Sequence, residues 1–315
     1  MNRITDLAQN RLLRSVILDG QSRIADRQTQ ISTMQKSQDY AGISSESMRL
    51  VSLESSERRL DQFTEGNKYV ELRMKTMLNS TDTLHSTMVD IKGILSEILV
   101  SGTLTDGIDK DKFSEVKMQE IEDFLNVKIM GRHLFSGSKT DTKAIASPVT
   151  AGTFATAPTY DGNFETIPEP EFYYRGNDTT LKARVDEGVV LKYGVPASDP
   201  AFEKMIRALR ILRSTDISGG DANYMAKIQN GFNLITQAVT ALDKTELSIG
   251  TSLEQLGRTN ENMIISKNFL QGISAGIENA NTFEAVTAIN QDQTMLEASY
   301  TTVGRLSQLT LSRFL

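Results

Sequence analysis

The 315-residue sequence contains no cysteine, no tryptophan, six prolines and two histidines. Without cysteine there is no disulfide, no thiolate metal site and no cysteine nucleophile. His85 and His133 stand far apart, with no acidic partners at helical spacing, so they point to neither a zinc site nor a histidine base. Aromatic residues make up only 6%, which suits helical layers of Leu, Ile, Val, Met and Ala better than a thick sandwich of sheets. The net charge of −6 comes without any Lys/Arg cluster, arguing against nucleic acid and against an anionic membrane as partners. No apolar run approaches the roughly 18–20 residues of a membrane span. MNRITDLAQNRLLRSV lacks the apolar core of a secretory signal, so the chain is expected to be cytosolic or exported without a cleaved signal.

Chemistry-bearing motifs are equally sparse. There is no GxxxxGK[ST] phosphate loop, no GxSxG elbow and no acid–base pair. The sequence predicts no enzyme, no catalytic residue, no cofactor and no metal. Asp106, Asp109 and Asp111 resemble half of a calcium loop, but the closing Glu is missing and the stretch reads as a solvated loop with Asp111 as a helix N-cap. Gly272 and Gly276 form a GxxxG in a polar context, which does not indicate membrane dimerisation.

What is present is helical periodicity. From about Ile4 to Gln38 the only break is Gly20, and Ile17, Ile24 and Ile31 recur every seven residues as a thin seam. SQDYAGIS then reads as a turn. From about Ser45 to Val100 apolar residues recur at threes, fours and sevens; at 1.5 Å per residue such a helix is about 80 Å long and needs partner helices along its flank. A shorter helix runs from about Lys112 to Met130, with Gly131 expected at the C′ position. Between about Thr140 and Val195 prolines and glycines appear and Phe, Tyr, Val and Thr take over. YYRGNDTTLKARVDEGVVLKYGV reads as short strands with turns at Gly176-Asn177 and Glu187-Gly188. Helices resume at Ser198-Asp199-Pro200, with Phe202, Ile206, Leu209 and Leu212 on one face, and continue as a long helix from about Asp221 to Ile273.

The predicted fold is therefore mainly α: a long antiparallel helical bundle with terminal coiled-coil helices and a small β-rich insertion. The expected parts are terminal helices 1–38 and 280–315, a bundle of 39–140 with 198–279, and a surface domain of 141–197.

The last segment carries most apolar surface. Ile289, Leu296 and Val303 repeat every seven residues, as do Val286, Gln293, Tyr300 and Ser307, and the two series are offset by three and four as in a coiled-coil seam. Leu306, Leu309, Leu311, Phe314 and Leu315 extend the apolar area. Two readings of this stripe remain open from spacing alone. It is either covered by the first helix inside a monomer, or it binds other copies of the chain.

Three stretches resemble the flagellin family. They are QKSQDYAGIS, NVKIMGRHLFSGSKTDT with its LFSG, and ENANTFEAVTAINQDQTMLEASYTTVGRLSQLTLSRFL. Asn279 and Asn281 stand where the family often has Asp, and Tyr40 replaces a second acidic residue. The LFSG version is similar to that of the family's hook–filament junction subunits. The resemblance implies a structural adaptor of the bacterial flagellum that joins hook to filament by ring-wise and axial self-assembly. The terminal helices would then form an inner-tube coiled coil on assembly, and Ile17, Ile24, Ile31, Val286, Ile289, Leu296, Tyr300, Val303, Leu306, Leu309, Leu311, Phe314 and Leu315 would be subunit-interface residues. Implied partners are other copies of the chain, flagellin, the adjacent hook-associated protein, and an export chaperone on the C-terminal helix. Implied location is extracellular, after type III export without a cleaved signal. The alternative within the family is the filament flagellin itself, and the alternative outside it is an intracellular coiled-coil scaffold.

Overall fold

The computed structural model describes residues 2–311 apart from 106, 150, 160–162 and 219, with side chains placed for residues 11–305. Six α-helices are present among the described residues: α1 (Asn2–Thr33), α2 (Ser47–Ser101), α3 (Lys110–Leu125), α4 (Pro200–Ser214), α5 (Tyr224–Glu278) and α6 (Thr282–Leu311). The only named strands among those residues form two antiparallel pairs, β1 (Lys128–Ile129) with β2 (Arg132–His133) and β3 (Lys182–Arg184) with β4 (Val190–Lys192). The mainly α architecture with a small β component follows. The chain divides into two compact units, a terminal one of residues 1–60 with 264–315 and a central one of residues 61–263.

The central unit is a helical bundle with a continuous core. On α2, Val70, Met77, Leu84, Ile91 and Ile98 recur at sevens, as do Met74, Met88 and Leu95 with Thr81 between them, and all are buried. On α5, Ile228, Ile235, Leu242, Ile249, Leu256 and Met263 recur at sevens and are buried as well. An unbroken seven-residue repeat keeps one stripe of a helix against its neighbours, which is why these stretches pack as long rods. Gly231 marks a close approach, since a Cβ there would lie 3.3 Å from Leu95 Cδ2 and 3.5 Å from Ile211 Cγ2.

Two predicted details are corrected. The N-cap of α3 is Asp109, whose carboxylate accepts from the N–H of Asp111 and Lys112, and this holds its pKa below the usual range. Asp111 lies in the first turn and its side chain meets Lys110 and Arg213 instead. At the other end α3 stops at Leu125, because Asn126 turns its side chain to Ile145, donating to its carbonyl at 3.1 Å and accepting from its N–H at 2.9 Å. Gly131 is thus no helix cap. With Met130 it forms the two-residue turn of the β1–β2 hairpin, both at positive φ (50° and 78°).

LFSG has a packing role. Phe135 is fully buried and meets Phe202 of α4 edge-on at 5.7 Å between ring centroids. Gly137 has φ +67° and lies so close to the Asn177 carbonyl that no side chain fits. Of the two turn signals in the β-rich stretch, Glu187-Gly188 joins β3 to β4. Gly176 instead packs against the Tyr174 hydroxyl and the Ser136 carbonyl.

The described residues of segment 146–172 form no named strand, and α4 holds much of the segment. Arg207, 2% exposed, donates to the carbonyls of Phe164 (2.8 Å) and Ile167 (2.5 Å) and to Glu203 (3.0 Å). Arg210 donates to the carbonyls of Thr156 and Ala157, pairs with Glu169, and stacks 3.6 Å over the Phe172 ring. A buried guanidinium is tolerated only when most of its donors are used, and here several are occupied by an irregular stretch of backbone.

Candidate assembly surface

The predicted site lies on the terminal helices, which pack on each other within one chain. Helix α1 ends at Thr33 because Met34 takes a left-handed conformation (φ 59°). The chain then crosses the α5–α6 junction. Lys36 N–H donates to Glu278 O (2.7 Å), Ala280 N–H to Met34 O (2.9 Å), and the Lys36 ammonium to Gly276 O (3.0 Å). This clasp sets α1 and α6 running antiparallel. Asp39 caps the following 3₁₀ turn (Tyr40–Ile43), accepting from Gly42 N–H at 3.1 Å.

On α1 the covered positions include Leu13, Ile17, Gly20, Ile24, Arg27 and Ile31, spaced by fours and threes. On α6 the corresponding line is Ala285, Ile289, Asp292, Leu296, Ser299 and Val303. Gly20 is the closest point: a Cβ there would stand 3.0 Å from Leu296 Cδ2. Asp292 lies in the seam, and Arg23 donates to it from Nη2 (2.8 Å) and Nε (3.0 Å). That hydrogen bond, followed by the coulombic attraction, raises the Arg23 pKa.

The sequence-predicted series Ile17–Ile24–Ile31 and Ile289–Leu296–Val303 are both brought into this seam. The second predicted series on α6 is one residue out of phase, because the helix presents 285, 292 and 299 to α1. Val286 (47% exposed) and Tyr300 (49%) face outward, although the Tyr300 hydroxyl accepts from Gln21 at 2.8 Å. Leu306, Leu309 and Leu311 belong to α6, but their side chains lie outside the described ones. Phe314 and Leu315 lie outside the described residues altogether, as does Asp106. Sequence reasoning missed Gly20 and the Arg23–Asp292 pair, whose signal was a glycine and a charge pair at seam positions.

Pairing leaves large apolar side chains of this unit open to solvent. Leu12, Leu18, Ile265, Phe269, Phe283 (86% exposed) and Met295 are all exposed. Among the described residues the buried hydrophobic side chains of this unit are Leu50, Ile277 and Ala285 alone. His133 is buried with Nδ1 2.8 Å from Asn126 O, and His85 sits 3.8 Å from Asp243. No described helix is long and apolar enough to cross a membrane.

Residues 232–315 match the family described as the bacterial flagellin C-terminal helical region. That region includes most of α5 and all of α6, and so one whole side of the terminal seam. The fold also matches a solved structure described as "putative flagellar hook-associated protein from Vibrio parahaemolyticus", at 18% identity and a TM-score of 0.58, covering 76% of this chain and 99% of that one. A FlgL structure from Xanthomonas campestris matches at 10% identity and a TM-score of 0.49, over 70% of this chain and 98% of that one. No curated protein sequence matches the chain. The resemblance to flagellins read from the sequence thus stands on the C-terminal region, and the fold is shared with a protein described as hook-associated.

Proposed function

We propose that this chain is a structural adaptor subunit of the bacterial flagellum, joining hook to filament through its terminal helices. The observation that carries the reading is the α1–α6 pair, whose α6 side lies in the stretch that matches the flagellin C-terminal family. Its seam is satisfied within the chain, while large apolar side chains of the two helices, Leu12, Leu18, Phe283 and Met295, stay exposed. Burying such side chains against neighbouring copies contributes about 25 cal/mol per Å2 of apolar surface, which favours assembly over solvent exposure.

In this reading Ile17, Ile24, Ile31, Ile289, Leu296 and Val303 hold the helical pair in shape. Val286, Tyr300, Leu306, Leu309, Leu311, Phe314 and Leu315 meet other subunits in an inner tube. The terminal helices, the bundle and the β-containing segment 141–197 act as three parts, the last on the outside. Partners are other copies, flagellin and the adjacent hook-associated protein, with an export chaperone holding the C-terminal helix beforehand. The protein is extracellular and catalyses no reaction.

The test is complementation in a bacterium lacking its own junction subunit. The wild-type chain is expected to restore attached filaments. Leu296→Glu, Val303→Glu and Leu306→Glu are expected to abolish restoration while circular dichroism shows the central bundle folded. Incorporation of these variants at wild-type levels sinks the model. The flagellin-type C-terminal region suits a filament subunit equally. Salting-out of the purified chain separates the two: long tubes in the electron microscope mean a filament flagellin, and monomers or short aggregates mean a junction subunit.

A further inference from the structure

The β3–β4 hairpin of the central unit places Lys182 directly opposite Lys192, both exposed. Like charges facing each other on one side of a ladder are destabilising, and neither ammonium group has a partner among the described residues. Beside the hairpin runs a groove of about 410 Å3 between residues 192–196 and α5, lined by Lys192, Lys244, Thr180, Ser248 and Ser252. It continues into a recess of about 490 Å3 that shares Lys244 and adds Lys204. The carboxylate in both linings, Asp199, caps α4, accepting from Ala201 N–H at 3.0 Å. Three lysines, Lys192, Lys204 and Lys244, against this one carboxylate leave the two linings with a surplus of positive charge in a chain of net charge −6.

The opposite surplus lies on α2 and α3 of the same unit. Lys117 bridges to Asp90 at 2.8 Å, and Thr87 reaches Glu120 at 3.5 Å, so the two helices run antiparallel in a fixed register. That register sets Asp82 level with the last turn of α3, which carries Asp123. Asp82 and Asp123 are exposed, and neither has a partner among the described residues.

We propose that the lysine groove of one copy receives the acidic α2–α3 end of a second copy, Lys192 and Lys244, with Lys182 on the hairpin beside them, meeting Asp82 and Asp123. The inference rests on the assembly reading above and names one of its contacts. Charge complementarity selects the occupant, since each copy carries both halves. Two different patches of one chain meeting in this way make a heterologous contact, which closes into a ring or winds into a helix. Exposed pairs contribute little affinity each and are screened by salt. Their effect is on encounter rate and register.

The absence of native cysteine makes the test clean. Thr180→Cys on the groove rim and Gln119→Cys, one turn from Asp123, leave every charge in place. In flagella restored by the double variant, a short bismaleimide is expected to give a ladder of dimers and larger species, absent from each single variant. K192E/K244E is expected to slow incorporation roughly tenfold at low salt, and adding D82K/D123K to the same chain is expected to restore it. Restored filaments with no ladder, or charge reversal without effect, overturn the contact and leave the assembly reading intact. Failure of the wild-type chain to restore filaments overturns the assembly reading first. Two further results would also overturn the contact: binding of the chain to polygalacturonate that depends on these lysines with no ladder assigns the groove to an anionic polysaccharide, and aggregation of K192E/K244E at normal incorporation means the lysines only shield a strand edge.

Discussion

The central and terminal units are built from the same material, long helices with seven-residue apolar repeats, yet they bury it very differently. In the central unit α2 and α5 cover nearly every repeat position, with α3 and α4 sealing the sides, and Met74, Met77, Leu84 and Leu242 reach 0% exposure. In the terminal unit the α1–α6 seam positions Ile17, Ile24, Leu296 and Val303 are only half-buried. Periodicity alone does not make a core. A helix paired with one partner covers a single narrow stripe, and full burial needs neighbours on two or more sides. The central unit has them within the chain; the terminal unit leaves the role open for other molecules.

Mutations should separate the two units. The largest effect is expected from Phe202→Ala, which leaves a cavity beside Phe135 and should destabilise the central unit by about 3–5 kcal/mol, read from urea unfolding followed by circular dichroism. If the loss stays below about 1 kcal/mol, the central core is looser than described. Gly20→Val comes next. A branched side chain there meets Leu296, so amide exchange should accelerate in α1 and α6 while α2 residues 74–98 keep their protection. Equal acceleration in both would mean the units unfold together. Asp292→Ala removes an exposed ion pair, and the melting temperature should not move measurably, although the Gly20–Leu296 contact should loosen in the same exchange experiment.

The smallest expected effect is electrostatic and confined to the central unit. Burial raises the Glu203 pKa, opposed by the Glu169 N–H and by Arg207. A carboxyl raised on folding binds protons more readily in the folded state, so its contribution favours folding as pH falls through the folded value. Compared with Glu203→Gln, the wild type should therefore gain relative stability as the pH falls from 7 towards the unfolded carboxyl value near 4.5 in urea titrations. A relative loss over that range would reverse the assigned direction.

Much of this was legible in the residues. The seven-residue repeats of α2 and α5, the hairpin at Glu187-Gly188 and the change of character near Thr140 all follow from local spacing and turn chemistry. Other features were not. Arg207 and Arg210 look like the polar face of an amphipathic helix, and nothing local says that segment 146–172 folds over them and uses their donors. Asp109 and Asp111 are both acceptable caps by residue type, and Gly131 suits a helix end as well as a tight hairpin.

By itself the sequence determined which stretches are helical, which stripe of each is apolar, and that thiol chemistry is impossible, because those properties depend on neighbours three, four or seven residues away. Only the tertiary structure decided which of two adjacent lines on α6 faces inward. Positions 285 and 286 differ by about 100° around the helix, and both begin plausible seven-residue series. The choice falls to 285, 292 and 299 because Gly20 leaves room for Leu296 and Arg23 reaches Asp292. Both constraints lie on a helix more than two hundred residues away in the chain.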